Sequence, residues 1–215
     1  MILSTKRDDF LVLSADRLIA THQGPCGEVN KLVLHPRLPL AFAVGGMMRF
    51  YLASRSRYAL AMVHVAEFAE TITSVDELLV EEIARRLGIL FQPAMTQEKN
   101  KLQLFIGLVK NGKADVGVQI VSSPTIRDDP TRLILGDDYY VIPECIQGFF
   151  RQGQHLNAMR NPSVTSAAEV GRLAREAIEA GIVQEASLHS DGKNRVIGGR
   201  PDVVLVAGDG TSVLP

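Results

Sequence analysis

The sequence predicts a mixed α+β fold in which strands and helices come in separate blocks. Strand patterns open the chain, two helical patterns follow, a hairpin pattern comes next, and the chain closes on a helix and a valine-rich strand. Segregated blocks favour antiparallel sheets, because a parallel sheet needs strands and helices to alternate. Two antiparallel sheets stacked between helical layers, a four-layer αββα sandwich, is the architecture that uses this order economically.

The first block contains four predicted strands. Ile2–Thr5 and Phe10–Ala15 are apolar runs separated by a polar turn at Lys6–Asp9. After a loop, Lys31 begins a short apolar run, and a further apolar strand stops at the pair Gly45-Gly46. Apolar runs of this length, bounded by turn residues, are typical of strands.

Two helices are predicted next. Met47–Ala69 lacks proline and glycine, and its aromatic and apolar residues recur at helical spacing. The second helix is predicted to begin at Ser74, because Ser74 and Glu77 have the spacing of a capping box. Gly88 stands where a left-handed terminating residue would end it.

The second half of the chain begins with a strong hairpin signal. Asn111-Gly112 separates two apolar runs, and both residue types accept the positive φ that a tight hairpin turn needs. A second capping box, Ser166 with Glu169, predicts a helix that Gly181 would end. The remaining predicted elements are the hairpin strands Leu102–Lys110 and Lys113–Ser122, a short strand at Leu133–Leu135, a short helix beyond Pro143 and a final strand at Pro201–Ala207.

Composition predicts a single domain over residues 1–215 and excludes several function classes. A formal net charge of −1 provides no basic surface for nucleic acid or for a membrane. The two cysteines, Cys26 and Cys145, lack CxxC spacing and suit a reducing compartment. The opening MILSTKRDD forms no apolar secretory segment, and no apolar stretch is long enough to span a bilayer. These features predict a cytoplasmic protein.

Asp16 and Lys31 are the candidate functional pair. Asp16 follows the second predicted strand, and Lys31 stands early in a strand fifteen residues later, so the two can meet across neighbouring strands. Some hydrolases use such a pair to hold and activate a nucleophile at the start of the first strand. Neither Met1 nor Ile2 has a nucleophilic side chain. A structural ion pair at strand ends is the alternative interpretation.

No cofactor or metal is predicted. His22 and Cys26 are four residues apart in a loop, without further ligands nearby. Gly107, Gly112 and Gly117 lie in and around the hairpin, and no phosphate-binding glycine pattern opens a helix.

The order of four segments resembles a known family. They are ILSTKRDDFLVLSADR at 2–17, GEVNKLVL at 27–34, AFAVGGMMRF at 41–50 and DGKNRVIGGRPDVVLVAGDG at 191–210. Together with the two long helices, this order is similar to that of proteasome-type subunits, above all the bacterial proteasome-like N-terminal-nucleophile (threonine) peptidases. The resemblance covers the first ~90 residues well and the last ~50 moderately. It implies the four-layer αββα fold of N-terminal-nucleophile hydrolases.

The resemblance also implies a mechanism and site residues. In this family an N-terminal threonine attacks the peptide carbonyl, and its own amine serves as the base. Lys31 maps to the lysine that lowers the pKa of the nucleophile, and Asp16 maps to the acid that holds this lysine. Phe42 aligns with the residue whose backbone N–H stabilises the oxyanion. The expected activity is that of a threonine-type endopeptidase subunit.

The chain departs from the family pattern at its first residue. The family threonine aligns immediately before Met1, and Ser4 and Thr5 lie too close in sequence to Asp16 to replace it. Two alternatives follow: the natural protein begins with threonine, or it is a non-catalytic structural or binding member of the fold. A small-amide amidase of the same fold is a third possibility.

Further departures concern the residues around the nucleophile. The large side chain of Phe42 is expected to crowd a substrate. The polar support residues of the family fall around Asn194 and Ile197, and the side chain of Ile197 can neither donate nor accept a hydrogen bond.

The resemblance implies the partners as well. Identical subunits in a ring or double ring enclose the active sites, and the substrates are peptides or unfolded proteins. An ATPase unfoldase is a further partner that the sequence leaves open. The first predicted helix, with Tyr51 and Tyr58 beyond its apolar stripe, is the candidate subunit interface.

Overall fold

Two antiparallel sheets occupy the centre of the molecule in a computed structural model of the chain. The structure describes residues 1–21, 24–47, 54–76, 78–96, 101–124, 131–136, 138–142, 144–152 and 154–215. Within these ranges the chain forms a mixed α+β sandwich, so the predicted fold class is confirmed at that level.

The first sheet holds both ends of the chain. Its strand order is β10-β1-β2-β11-β12, and every neighbouring pair is antiparallel. Ala15 pairs with Ile2 on one side and with Asp202 on the other, so the end of β2 lies between the starts of two other strands. The strands are β1 (Ile2–Lys6), β2 (Phe10–Ala15), β10 (Asp138–Val141), β11 (Asp202–Ala207) and β12 (Gly210–Val213).

The second sheet has the order β5-β6-β7-β8-β9 and is also antiparallel. The turn between its two longest strands has Asn111 at φ 51° and Gly112 at φ 69°, which confirms the hairpin prediction. The strands are β5 (Leu32–Leu34), β6 (Leu40–Met47), β7 (Lys101–Lys110), β8 (Lys113–Ser122) and β9 (Arg132–Leu135).

Helices cover the outer faces of both sheets. Helices α1 and α2 pack on the second sheet, and α5, with α3 and α4 packed against it, covers the first. A third apolar cluster, which includes Leu11, Leu13 and Phe105, fills the space between the two sheets. The helices are α1 (Ser54–Glu70), α2 (Val80–Phe91), α3 (Glu144–Gln152), α4 (Gln154–Arg160) and α5 (Ala167–Leu188), with a 3₁₀ helix at Gln92–Thr96.

The boundaries predicted for α1 and α2 are wrong. Strand β6 continues through Gly45-Gly46 to Met47, because both glycines still pair with β7. Helix α2 starts after Leu79 instead of at Ser74, whose hydroxyl accepts a hydrogen bond from the Asp76 amide in a turn. Glu77, the other half of that capping box, lies outside the described residues. Helix α2 also continues past Gly88, since Leu87 and Phe91 are both buried.

The predicted end of the last helix is also wrong. Helix α5 begins after Ser166 as predicted, but Gly181 lies in its interior, and the helix runs on to Leu188. A Cβ atom at Gly181 would lie 3.1 Å from the Phe150 ring and 3.2 Å from the Met1 methyl group. This glycine therefore permits close packing between α5, α3 and the first residue.

The sequence interpretation missed a separate hairpin. Strands β3 (Leu18–Thr21) and β4 (Gly24–Glu28) pair with each other where a loop was expected. Strand β4 contains a proline and two glycines among its five residues, so no strand signal was present. Strands β10 and β12 were missed for a related reason, since each is only four residues long.

Candidate active site

Asp16 lies at the centre of a buried charged cluster. It follows the last residue of β2, and its backbone N–H donates to the Met1 carbonyl over 3.2 Å, so the two residues face each other. The Asp16 Oδ1 atom accepts hydrogen bonds from the terminal amine of Met1 and from Lys31 Nζ, the latter at 2.8 Å. The Asp16 side chain is fully buried, and that of Lys31 is 8% exposed. The predicted meeting of Asp16 and Lys31 is therefore present.

The route by which they meet differs from the expectation. Asp16 follows β2 in the first sheet, whereas Lys31 precedes β5 in the second sheet. The pair thus joins the two sheets at one end of the sandwich instead of linking neighbouring strands. A sequence pattern cannot distinguish these arrangements, since both require only that two strand ends lie close together.

Two backbone amides complete the surroundings of Asp16. Its Oδ2 atom accepts hydrogen bonds from the N–H groups of Leu18 and Gly198, each at 3.1 Å. The Gly198 carbonyl in turn accepts the N–H groups of Arg17 and Leu18 at 3.1 Å. Gly198 is therefore tied by both of its backbone groups to the segment that follows β2.

A salt bridge holds the same segment from the other side. The Arg17 guanidinium binds the Asp202 carboxylate in a bidentate geometry, with both N–O distances at 2.7 Å. Because Asp202 begins β11, this pair fixes the start of β11 beside the end of β2. The two parallel hydrogen bonds of a bidentate arginine–carboxylate pair fix the relative orientation of the two side chains as well as the distance between them.

The buried environment changes the protonation of the terminal amine. Burial lowers the pKa of the Met1 amine from 8.0 to about 6, although the Asp16 charge opposes this change. Lys31 lowers it further through charge repulsion. An amine with a pKa of about 6 is mostly unprotonated at neutral pH, so it can accept a proton from a neighbouring group.

The Asp16 carboxylate remains ionised in this site. Burial by itself would raise the pKa of Asp16, but the charges of the terminal amine and of Lys31 hold it below its ordinary value. Four hydrogen-bond donors on an ionised carboxylate act in the same direction. Asp16 therefore supplies a fixed negative charge beside two nitrogen atoms.

Phe42 does not have the role expected from the alignment. Val44 N–H donates to the Lys31 carbonyl at 2.9 Å, and hydrogen-bonded pairs recur every second residue in an antiparallel ladder. The pair Val33 and Phe42 is therefore hydrogen-bonded too, and the Phe42 N–H is engaged in the sheet. Its side chain is buried on the face that packs against α1, with its ring 6.2 Å from that of Phe68. Crowding of the site by this ring is not observed.

The residues predicted as polar support lie on the segment that precedes β11. Asn194 is exposed, whereas Ile197 is fully buried, and its backbone N–H donates to Glu185 Oε2 at 2.7 Å. Sequence reasoning missed Glu185, although a signal existed. Glu185 lies four residues after Gly181 and seven after Ile178, which places an acidic residue on the buried stripe of α5.

Other candidate sites are not supported by the described residues. Cys26 is an exposed residue on β4 whose thiol donates to the Ile19 carbonyl at 3.4 Å, and His22 lies outside the described residues. Within the described ranges, no three His, Cys, Asp or Glu side chains converge as a metal-binding group. None of the helices in the described part of the chain is long and apolar enough to cross a bilayer.

Two surface clefts lie away from Asp16 and Lys31. Their volumes are about 510 and 490 Å³, and both are lined by Gly112 of the β7–β8 turn and by Gly208. The first also contains Phe10, at the opposite end of β2 from Asp16. Six strand residues span roughly 20 Å, so neither cleft belongs to the charged cluster.

No protein-family model matches the chain, and no curated protein matches it either.

Proposed function

We propose that this chain is an N-terminal-nucleophile hydrolase domain, a proteasome-like threonine-type endopeptidase subunit. The supporting observation is that Asp16 and Lys31 meet in a buried cluster beside the backbone nitrogen of Met1, at the start of β1. A lysine ammonium can stabilise the developing negative charge of a nucleophile, and the amine of a residue that precedes Met1 would serve as its base. The αββα layering also agrees with the N-terminal-nucleophile fold.

The nucleophile would belong to a residue immediately before Met1. Successive strand side chains point to opposite faces. Met1 and Leu3 pack toward the helices of the first sheet, and Ile2 packs between the sheets. A side chain before Met1 would therefore point between the sheets, on the side from which Lys31 reaches Asp16. Ser4 and Thr5 are fully buried within β1 and do not reach that end.

In the proposed reaction, the hydroxyl of that threonine attacks the substrate carbonyl and gives its proton to the amine of the same residue. The leaving amine then takes this proton as the peptide bond breaks, and water later releases the acyl group. Lys31 stabilises the alkoxide character of the nucleophile, and Asp16 holds Lys31. Each of these steps follows the general logic of an activated N-terminal nucleophile.

A chain with threonine placed immediately before Met1 tests the proposal. Removal of the initiator methionine would expose this threonine, and a β-lactone or epoxyketone probe should then label it. Fluorogenic peptides should be hydrolysed by the same chain. The matched control is the threonine-extended chain with Lys31→Met, in which turnover should fall by about 100-fold or more.

The outcome separates the three functional alternatives. A folded threonine-extended chain that is neither labelled nor active on any amide would contradict the proposal and favour a structural or binding role. Labelling together with hydrolysis of small amides, but not of peptides, would favour an amidase. The native N-terminus, determined by mass spectrometry, shows which residue precedes Ile2 in the mature protein.

A further inference from the structure

Glu185 is a buried charged residue that the proposed reaction does not use. It lies on α5 with no solvent exposure, and both of its carboxylate oxygens accept backbone hydrogen bonds. Val196 N–H donates to Oε1 at 2.8 Å, and Ile197 N–H donates to Oε2 at 2.7 Å. A buried carboxylate is costly unless it is hydrogen-bonded, and bonds to an ionised acceptor are about twice as strong as neutral ones. Glu185 therefore links residues 196–197 to α5 by two hydrogen bonds.

Residues 196–197 are followed directly by a residue that contacts the charged cluster. Gly198 follows Ile197, and its N–H donates to Asp16 Oδ2 at 3.1 Å. Its carbonyl accepts the N–H groups of Arg17 and Leu18, the two residues that follow Asp16. A continuous series of hydrogen bonds thus runs from Glu185 through residues 196–198 to Asp16.

Helix α5 also contacts the first residue itself. Gly181 lies one turn before Glu185, and a Cβ atom at Gly181 would lie 3.2 Å from the Met1 methyl group. The negative charge of Glu185 is close enough to raise the pKa of the Met1 amine, whereas burial and Lys31 lower it. Among the described residues, Asp16, Lys31 and Glu185 are charged groups that act on this amine.

We propose that Glu185 is a positioning residue that holds residues 196–198, and through them the Asp16 carboxylate, in place beside the terminal amine. It acts through the backbone at Gly198 and through its charge. The inference deepens the proposed function, and its catalytic meaning rests on that function. The hydrogen-bond geometry that it describes does not rest on the proposed function, because this geometry can be measured in a chain without hydrolase activity.

The variant Glu185→Gln tests the inference in the chain that begins at Met1. Glutamine replaces one of the two carboxylate oxygens by an NH₂ donor, which would face the N–H group of Val196 or of Ile197, and it carries no charge. The matched control is Glu179→Gln, which makes the same change at an exposed position on the same helix. Glu185→Asp keeps the charge but shortens the side chain by one methylene. It therefore shows whether the effect of Glu185 depends on its charge or on the length of its side chain.

Two NMR measurements test directly whether Glu185 positions residues 196–198 and Asp16. Hydrogen exchange at the Gly198 and Leu18 amides reports how stably these amides are hydrogen-bonded to Asp16. The ¹³Cα shift of labelled Met1 reports the protonation of its amine. In Glu185→Gln, exchange at these amides should accelerate by about tenfold or more, as expected from the loss of a bond to a charged group. The pKa of the Met1 amine should fall below about 6. In Glu185→Asp, exchange should accelerate, whereas the pKa of the amine should stay nearer its original value.

The inference would be overturned if the amide exchange rates and the pKa of the Met1 amine in Glu185→Gln were the same as in the wild type and in the Glu179→Gln control. Global unfolding of both Glu185 variants would also overturn it, since Glu185 would then serve the stability of the whole core. These results are independent of peptide hydrolysis. An inactive threonine-extended chain would contradict the proposed function and leave the positioning result intact.

Discussion

Asp16 shows how a single residue can join two sheets. Its carboxylate accepts hydrogen bonds from the Met1 amine, Lys31 Nζ and the amides of Leu18 and Gly198. These donors come from the residue before β1, the residue before β5 of the second sheet, the first residue of β3 and the segment before β11. A carboxylate is the side chain that fits this position, because it is acceptor-only and carries the negative charge that balances the Lys31 ammonium.

We expect Asp16→Asn to destabilise the protein by about 3–5 kcal/mol, because it leaves a buried Lys31 without its counter-charge. Asparagine also presents an NH₂ group to donors that need an acceptor. Urea denaturation measures the change. Asp9→Asn, an exposed position in the β1–β2 turn, is the control and should cost less than about 0.5 kcal/mol. Equal stability of the two variants would contradict the structural importance of the cluster.

The lowered pKa of the Met1 amine predicts a pH-dependent stability. Between pH 6 and 8 the unfolded chain binds a proton at this amine that the folded chain does not, so stability rises with pH in that window. A change of two pKa units corresponds to about 2–3 kcal/mol, present above pH 8 and lost as the pH falls through 6. Urea midpoints from pH 5.5 to 8.5 measure this slope.

A chain with an acetylated amine is the control for that experiment, because its first nitrogen cannot titrate. Its slope between pH 6 and 8 should be flatter. An identical slope in the free and the acetylated chain would show that other groups cause the pH dependence.

Two glycines show how elements override local sequence signals. Gly88 and Gly181 both stand where a helix-terminating residue is expected, yet both lie inside helices. Helix α2 continues because Leu87 and Phe91 are buried. Helix α5 continues over the first residue, where Gly181 permits close contact with the Met1 and Phe150 side chains. Tertiary packing of an apolar face decides helix length in such cases.

Gly46 shows the opposite case, in which backbone conformation requires glycine. Its φ is +119°, and a Cβ atom there would press on the Lys101 carbonyl and lie 3.0 Å from Leu102 Cα. The sequence placed the end of a strand at this residue. The structure instead continues β6 past it, with a local distortion that glycine tolerates.

We expect Gly46→Ala to destabilise the protein by about 1–3 kcal/mol, because of the positive φ and the contact with the β7 backbone. Thermal unfolding measures the loss. Gly208→Ala is the matched control, since a Cβ atom at Gly208 meets no atom within 4 Å. It should change stability by less than about 0.5 kcal/mol. A loss at Gly46 no larger than that at Gly208 would contradict the strained conformation.

At the scale of the whole molecule, both outer layers are helical and expose apolar side chains. On α1, Leu60 is 51% exposed and Val63 is 48% exposed. Tyr51, half of the interface predicted from the sequence, lies outside the described residues, and the side chain of Tyr58 is likewise not described. Leu60 and Val63 are therefore the described positions at which the proposed ring interface can be tested.

We expect the chain to sediment as an oligomer at micromolar concentration, and Leu60→Glu to shift it toward monomer, because a buried carboxylate at an apolar interface is costly. Analytical ultracentrifugation measures the change. Val213→Glu, at a 67% exposed position on the first sheet, is the control and should leave the assembly unchanged. A monomeric unmodified chain would remove the ring assembly from the proposal.

The sequence by itself determined the strands and helices with strong periodicity. Strands β1 and β2, the β7–β8 hairpin and the start of α5 lie where the patterns place them, because alternation, turn chemistry and capping preferences act over a few residues. The sequence also identified Asp16 and Lys31, since a charged residue at the end of an apolar run is visible without any tertiary information.

Only the tertiary structure decided how the candidate site is assembled. It brought Asp16 and Lys31 together from different sheets, directed Phe42 away from the site, and added Glu185 and Gly198. Each of these outcomes depends on contacts between residues far apart in the chain, such as those between Gly198 and Asp16. Periodicity and spacing report which face of an element is apolar, but they do not report which element that face will meet.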